Sequence, residues 1–327
     1  MVSHDVVIVG AGPAGLAAAI SCQRQGLDYE VIEKGVLVNS IFHFPTHMVF
    51  FTTPELLEVG GYPFVSPYEK PTRLEALRYY RRVADGYALR VTLGDTVESI
   101  ERTGDELVVR SLDAGGAARL RRSRAVVLAI GYYDHPNLLG VPGETLPHVS
   151  HYYDEAHAWY RKRVVVVGGR NSAAEAALEL FRAGAAVTLV HRGAEMSETV
   201  KYWVLPDIRN RIAEGSVAAR FETRVVEITA GAVVTERAGA REALPADAVF
   251  LLTGYHPDEE FLRRCGVRLD PVTSAVAHDA ATLETTVPGI FLAGGVTAGR
   301  HTAPVFIENG RLHGEQVAAF IAARLGR

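Results

Sequence analysis

Asp5-Val-Val-Ile-Val-Gly10-Ala-Gly12-Pro13-Ala14-Gly15-Leu-Ala-Ala-Ala-Ile20, continued through to Glu33-Lys34-Gly35, is the stretch whose reading decides the fold. Its apolar, β-branched run predicts a buried strand over 6–9, and the alanine-rich segment after the glycines predicts a helix. Gly10 suits the tight turn between them. Gly12 lets backbone approach a diphosphate, and Gly15 lets the helix pack closely on the sheet. The helix N-terminus adds free N–H groups and the positive end of a dipole. A strand over 29–32 then ends at Glu33, and the spacing from Gly12 (33 − 12 = 21) fits an acid that bonds an adenosine ribose. A lone G-x-G-x-x-G is weak evidence. Strand, helix and spaced acid together make a βαβ nucleotide-binding unit.

The stretch recurs. Arg163-Val-Val-Val-Val-Gly168-Gly169-Arg170-Asn171-Ser172-Ala173, continued to His191-Arg192-Gly193, aligns with the first unit without a gap. Gly10 pairs with Gly168, Gly15 with Ala173, Gly26 with Gly184 and Gly35 with Gly193, all at one offset (168 − 10 = 158). Two nucleotide sites are therefore expected. Where the first unit places Glu33 and Lys34, the second places His191 and Arg192. An acid suits a ribose with free hydroxyls, whereas a guanidinium suits a 2′-phosphate. The first site fits FAD and the second NADPH. Arg170 stands where the fingerprint has glycine; it either adds a second positive group near the phosphates or lies solvated.

The chain has 327 residues, enough for two domains, and 48% apolar with 22% charged residues is ordinary globular composition. A formal net charge of −4 gives no electrostatic footprint for nucleic acid, and no polybasic or lipidation motif points to a membrane. No apolar run reaches the ~18 residues of a spanning helix, and the first strand starts too early for a signal peptide. A cytoplasmic protein is expected. The two cysteines, Cys22 and Cys265, form no C-x-x-C pair. Cys22 aligns with Leu180, which predicts a buried apolar role, and Cys265 lies near the end of an expected helix. His148, His151 and His157 lack ligand spacing, so no metal site is expected.

Residues 36–57 are rich in aromatics and histidine but lack periodicity; they read either as a packed loop or as a wrapping for a flat aromatic ligand. A helix is expected over 71–86, followed by an antiparallel insertion of strands over 89–93, 96–102, 107–111 and 119–121. A separate buried strand over 125–130 ends at Gly131-Tyr-Tyr-Asp-His-Pro136. Residues 138–160 read as the crossing to a second domain. That domain would hold a helix over 201–212, strands within 217–235, and a strand over 248–252 ending at Thr253-Gly-Tyr-His-Pro257, an echo of the first strand-end turn. A strand ending in Gly294-Gly295 and one helix over 306–322 would complete the first domain. The domains are thus expected as 1–155 with 256–327, and 156–255.

These residues resemble those of the thioredoxin-reductase-like pyridine nucleotide flavoproteins across nearly the whole chain. Within that group, His43-Phe-Pro-Thr-His47, Gly131 to Asn137, Thr253 to Asp258, and Phe306-Ile-Glu-Asn-Gly-Arg311 with His313-Gly314 are similar to the YpdA family of bacillithiol disulfide or bacilliredoxin reductases. The resemblance implies two doubly wound, Rossmann-like α/β domains, the NADPH domain inserted in the FAD domain, and a homodimer. It places Gly10, Gly12, Pro13, Ala14, Gly15, Glu33, Lys34, Asn39, His47, Gly131, Gly294 and Gly295 around FAD. Around NADPH it places Gly169, Arg170, Asn171, Ser172, Ala173, His191 and Arg192. Three departures carry chemical content. Thioredoxin reductases have a C-x-x-C pair where this chain has Ala173-Ala-Glu-Ala, and aspartate where it has Gly295; many YpdA relatives have cysteine where it has Ala14. The implied reaction is NADPH-dependent reduction of a small or protein-bound disulfide by flavin, with no catalytic residue beyond the cofactors. A ferredoxin–NADP reductase and a flavin-bound sensor without turnover are the alternatives.

Overall fold

The structure, a computed structural model, describes residues 2–301 and 304–327. The chain divides into two units, one of Met1–Phe44, Met48–His135 and Tyr255–Arg327, the other of Pro45–His47 and Pro136–Gly254.

In the first unit, strand β1 (Val2–Val9) leads through the glycine turn into helix α1 (Pro13–Arg24) and strand β2 (Tyr29–Glu33). Proline at the start of α1 has the φ a first helical turn needs, and its missing N–H would be unpaired there anyway. Two one-turn helices, α2 (Asn39–Phe42) and α3 (Pro54–Leu57), interrupt the aromatic loop before helix α4 (Arg73–Gly86). Thr72 starts α4 with a capping box: its hydroxyl accepts from Glu75 N–H, and the Glu75 carboxylate accepts from Thr72 N–H at 2.8 Å. Strands β3 (Val91–Leu93), β4 (Asp95–Thr103), β5 (Glu106–Asp113) and β6 (Ala118–Leu128) follow.

Two expectations fail here. Strand β3 is no part of the antiparallel insertion; it pairs parallel with β2, because single-residue Gly94 (φ 67°) turns the chain away before β4. The strands expected at 119–121 and 125–130 are one strand. β6 pairs antiparallel with β5 from Leu112↔Ala118 to Leu107↔Ser123 and parallel with β1 from Val2↔Arg121 to Val9↔Leu128. Where it serves both partners, Arg121 bonds Glu30 of β2 (2.7 Å) and Asp95 of β4 (2.8 Å), so its buried charge is paired on both sides.

The second unit begins with short strand β7 (Val149–Ser150), then repeats the motif in β8 (Arg163–Val167), helix α5 (Asn171–Arg182) and β9 (Ala186–Val190). Helix α6 (Leu205–Ala213) starts four residues later than expected, with Pro206 in its first turn. Strands β10 (Ala218–Arg220), β11 (Arg224–Ile228), β12 (Ala232–Arg237), β13 (Ala240–Pro245) and β14 (Ala248–Leu251) complete it. β7 pairs with β14, so the chain joins this unit at Pro136, earlier than the expected boundary after residue 155.

The chain returns to the first unit through helix α7 (Glu259–Arg264), strand β15 (Ile290–Leu292), a tight 3₁₀ turn over Gly294–Ala298, and helices α8 (Ile307–Gly310) and α9 (His313–Arg324). The single helix expected over 306–322 is broken at Arg311-Leu312. Gly310 abuts Gly294, and a side chain on Gly314 would meet Ala18 N at 2.5 Å, so the two pieces pack on different partners.

Each unit carries a parallel sheet of one order, β3-β2-β1-β6-β15 in the first and β10-β9-β8-β14-β7 in the second. Side chains alternate across it. In the first unit Val6 and Ile8 pack toward α1, α4 and α9, while Val7 and Val9 pack toward β4, β5 and α7. In the second, Val164 and Val166 face α5 and α6; Val165 and Val167 face the three-stranded sheet β11-β12-β13.

Candidate functional site

The first glycine turn is built by contact. Gly10 has φ 105°, its N–H donates to Ile32 O at 2.8 Å, and a side chain there would meet Ala129 O at 2.5 Å. A side chain on Gly15 would reach Gly10 O at 1.9 Å, so α1 seats directly on the turn. Gly12 differs: nothing lies within 4 Å of the place its side chain would take, nor is there anything at Gly131 (φ 62°). These are the open sides of the turn, where a diphosphate could reach backbone.

Glu33 is buried at 6% exposure. Its carboxylate accepts from Ala11 N–H and Gly35 N–H, each at 2.8 Å. Burial pushes its pKa up against those two bonds. Lys34 pairs with Asp134 of the strand-end turn at 2.7 Å, a partner that no local sequence signal marks. Asn39 Oδ1 accepts from Val36 N–H at 3.3 Å, and Gly35 lacks the side chain that would strike it. His47 is exposed and falls with the second unit, in a three-residue piece where Thr46 N–H donates to Asp154 O at 3.0 Å.

The closing turn meets the opening one. A side chain on Gly294 (φ 76°) would lie 2.7 Å from Ala14 Cβ, and one on Gly310 would lie 3.0 Å from Gly294 Cα. A side chain on Gly295 would meet the Tyr132 ring at 2.7 Å. Gly294 N–H donates to His313 Nδ1 at 3.1 Å, so that nitrogen carries no proton, and burial lowers the imidazole's basicity further. This task of His313 is not legible in its sequence motif.

The second turn has the same path and different chemistry. Gly168 (φ 154°) donates its N–H to Val190 O at 3.0 Å. Ala173 is buried at the position of Gly15. Position 169 must be glycine for a reason peculiar to this unit: the His191 ring lies over it, 2.3–2.5 Å from where a side chain would start, and a side chain on Gly193 would meet Nε2 at 2.6 Å. Burial, then Arg192 and Arg170, lower the pKa of His191. Both arginines are exposed, and among the described residues neither pairs with a carboxylate. Asn171 is turned to structure, its Oδ1 accepting from Lys201 N–H at 2.8 Å, while Ser197 N–H donates to Gly169 O at 2.9 Å. These bonds tie loop 197–201 to the turn. Ser172 is exposed.

Both cysteines are buried, and burial pushes each thiol up to about 12. His151 Nε2 lies 3.4 Å from Glu144, and among the described residues no three His, Cys, Asp or Glu side chains gather as a metal site.

Residues 7–294 match the family model described as pyridine nucleotide-disulphide oxidoreductase. The chain is similar to bacilliredoxin reductase Bdr of Bacillus subtilis, 42% identical over 99% of each chain. It is also similar to the solved bacillithiol disulfide reductase Bdr (YpdA) of Bacillus cereus, with TM-score 0.97, 41% identity, and coverage of 98% of this chain and 99% of that one. Thioredoxin reductase of T. acidophilum shares the fold, with TM-score 0.77 at 22% identity over the full length of both.

Proposed function

The chain belongs to the pyridine nucleotide-disulphide oxidoreductase family, in its bacilliredoxin reductase (YpdA) branch, and from this we propose that it reduces bacillithiol disulfide, or a bacilliredoxin mixed disulfide, with electrons from NADPH passed through FAD. The observation that carries the cofactor assignment is the contrast at equivalent strand ends. Glu33 offers a carboxylate fixed by two backbone N–H groups, with lone pairs left for ribose hydroxyls. Arg192, beside the half-buried His191 ring, offers positive charge with no carboxylate paired to it among the described residues, which suits a dinucleotide carrying an extra phosphate.

In this reading Gly10, Gly12, Pro13, Ala14, Gly15, Glu33, Lys34, Asn39, Gly131, Gly294 and Gly295 surround FAD. Gly169, Arg170, Asn171, Ser172, Ala173, His191 and Arg192 surround NADPH. The flavin supplies two-electron transfer between the nicotinamide and the disulfide; the protein binds, orients and keeps water out. With Ala14 in the opening turn and both thiols buried, no disulfide of this chain takes part. The overall reaction consumes one NADPH and one proton and yields NADP⁺ and two thiols. The enzyme works as a cytoplasmic homodimer.

The test is a screen of NADPH consumption by the purified yellow protein against bacillithiol disulfide, bacilliredoxin mixed disulfide, ferredoxin and oxygen, with released flavin identified and mass measured by light scattering. Turnover with a bacillithiol-containing disulfide is expected. Turnover with ferredoxin alone would replace the acceptor, and no turnover with any would make the protein a sensor.

A further inference from the structure

We infer that Arg170 grips the diphosphate of the nicotinamide dinucleotide, replacing with a side-chain charge the close backbone approach that glycine permits at the first site. The inference rests on the assignment of the second unit to NADPH and assigns a task within it that the fingerprint does not contain.

Arg170 occupies the place of Gly12 in the repeat (12 + 158 = 170). Each residue precedes a twelve-residue helix and is extended, Gly12 at φ −73°, ψ 176° and Arg170 at φ −121°, ψ −167°. Such backbone is open to any residue. Glycine at position 12 is therefore a matter of space, and the empty space beside it shows what it keeps clear. Arg170 gives that clearance up. A phosphate cannot approach its backbone as closely, and the compensating group is a planar guanidinium whose donors match phosphate oxygens in pairs.

The charge is also placed against its own interest. A cation at a helix N-terminus meets the positive end of the dipole, and Arg170 stands close enough to His191, beside Arg192, to lower the basicity of the ring. Elsewhere in this unit Arg182, Arg209, Arg220 and Arg237 each pair with a carboxylate. Two guanidiniums that pair with no carboxylate among the described residues, and an imidazole crowded beside them, are relieved by a polyanion. The diphosphate belongs at the helix start and the 2′-phosphate at the strand end, which divides the work. Arg170 serves what NADP⁺ and NAD⁺ share, and Arg192 serves what distinguishes them.

The experiment titrates FAD-loaded protein with NADP⁺ and with NAD⁺ by calorimetry at several salt concentrations, so that binding is read without turnover. Arg170→Ala should weaken both nucleotides by a similar factor, about tenfold, and flatten the salt dependence of both. Arg170→Gly, which restores the fingerprint, should weaken them too. Arg170→Lys should fall between, keeping charge and losing paired geometry. Unchanged affinity in Arg170→Ala, loss for NADP⁺ only, or tighter binding by Arg170→Gly would each overturn the assignment. Wild-type protein that binds neither nucleotide would overturn the underlying reading of the unit instead. Flavin absorbance and melting of each variant verify the fold, since the side chain is exposed.

Discussion

Helices α1 and α5 lie at the same places in the repeat, Pro13–Arg24 and Asn171–Arg182, and the strands before them end at Val9 and Val167. Three of the positions at which the two units differ set their chemistry apart. Gly12 becomes Arg170, Gly15 becomes Ala173, and Glu33 becomes His191. The first unit seats its helix against backbone, buries a carboxylate that two N–H groups hold, and neutralises Lys34 with Asp134. The second leaves room for a methyl at the seat, packs a half-buried imidazole between two glycines, and leaves Arg170 and Arg192 without a carboxylate partner among the described residues. One turn is fixed by shape and the other is tuned by charge. A ligand held mainly by shape stays through purification; one held by exposed charges exchanges and responds to salt. That difference suits a resident cofactor and a travelling one.

The sharpest way to break the contrast is at the helix seat. Gly15→Ala would drive a methyl into Gly10 O, where backbone must shift, and should cost about 3 kcal/mol or more with loss of flavin. Ala173→Gly in the second unit should cost only about 1 kcal/mol, a helix-propensity effect. Thermal melting with flavin absorbance reads both, and equal losses would show that the two seats are alike.

Charge comes next. Arg192→Ala should raise the KM for NADPH by an amount equivalent to about 1.5–3 kcal/mol and leave that for NADH nearly unchanged. Equal effects on both coenzymes, read by steady-state kinetics, would make Arg192 a solvated surface group. On the other side of the comparison, Glu33→Ala should weaken flavin retention by about 1–3 kcal/mol and leave Ala11 N–H and Gly35 N–H unpaired. Glu33→Gln keeps an oxygen for one of them and should fall between. Flavin dissociation followed by fluorescence decides it, and retention equal to wild type in Glu33→Ala would show that shape alone holds the cofactor.

The smallest expected effect is on chemistry. Cys22→Ser and Cys265→Ser, singly or together, should leave NADPH oxidation with the acceptor intact, because both thiols are buried and held far from ionisation. A hydroxyl in either place lowers melting without touching turnover. Lost turnover in a folded, flavin-loaded Cys265→Ser protein would put a thiol back into the reaction.

What could be read from the residues was whatever repeats locally. The offset of 158 carries strand, turn and helix across, since these depend on periodicity and glycine placement within thirty residues. The helix at Arg73–Gly86 announced itself by its pattern. Features set by distant partners could not be read. β6 looks like two strands because its first half is polar while residues 125–128 are apolar, and only its double pairing joins them. The break at Arg311-Leu312 comes from two separate docking partners, and α6 waits for Pro206. At the site, glycine spacing located both turns. The tasks of Asp134, His313 and Asn171 depend on residues far off in sequence, and no local signal marks them.

The place where Gly294 meets Ala14 and Gly310 abuts Gly294 also sets an order of assembly. The second unit is drawn from one long run of chain and the short piece around Thr46, all of it synthesised before residue 255. The first unit then still lacks β15, which pairs with β6, and α9, which seats Gly314 on α1. Domains form in sequence as a chain emerges from the ribosome. The opening strand and glycine turn are therefore made before the second unit and finished after it, waiting on residues 255–327. A ribosome-stalled chain ending near residue 290 would carry a protease-resistant second unit beside an open first one, and the flavin would enter only after the closing turn arrives.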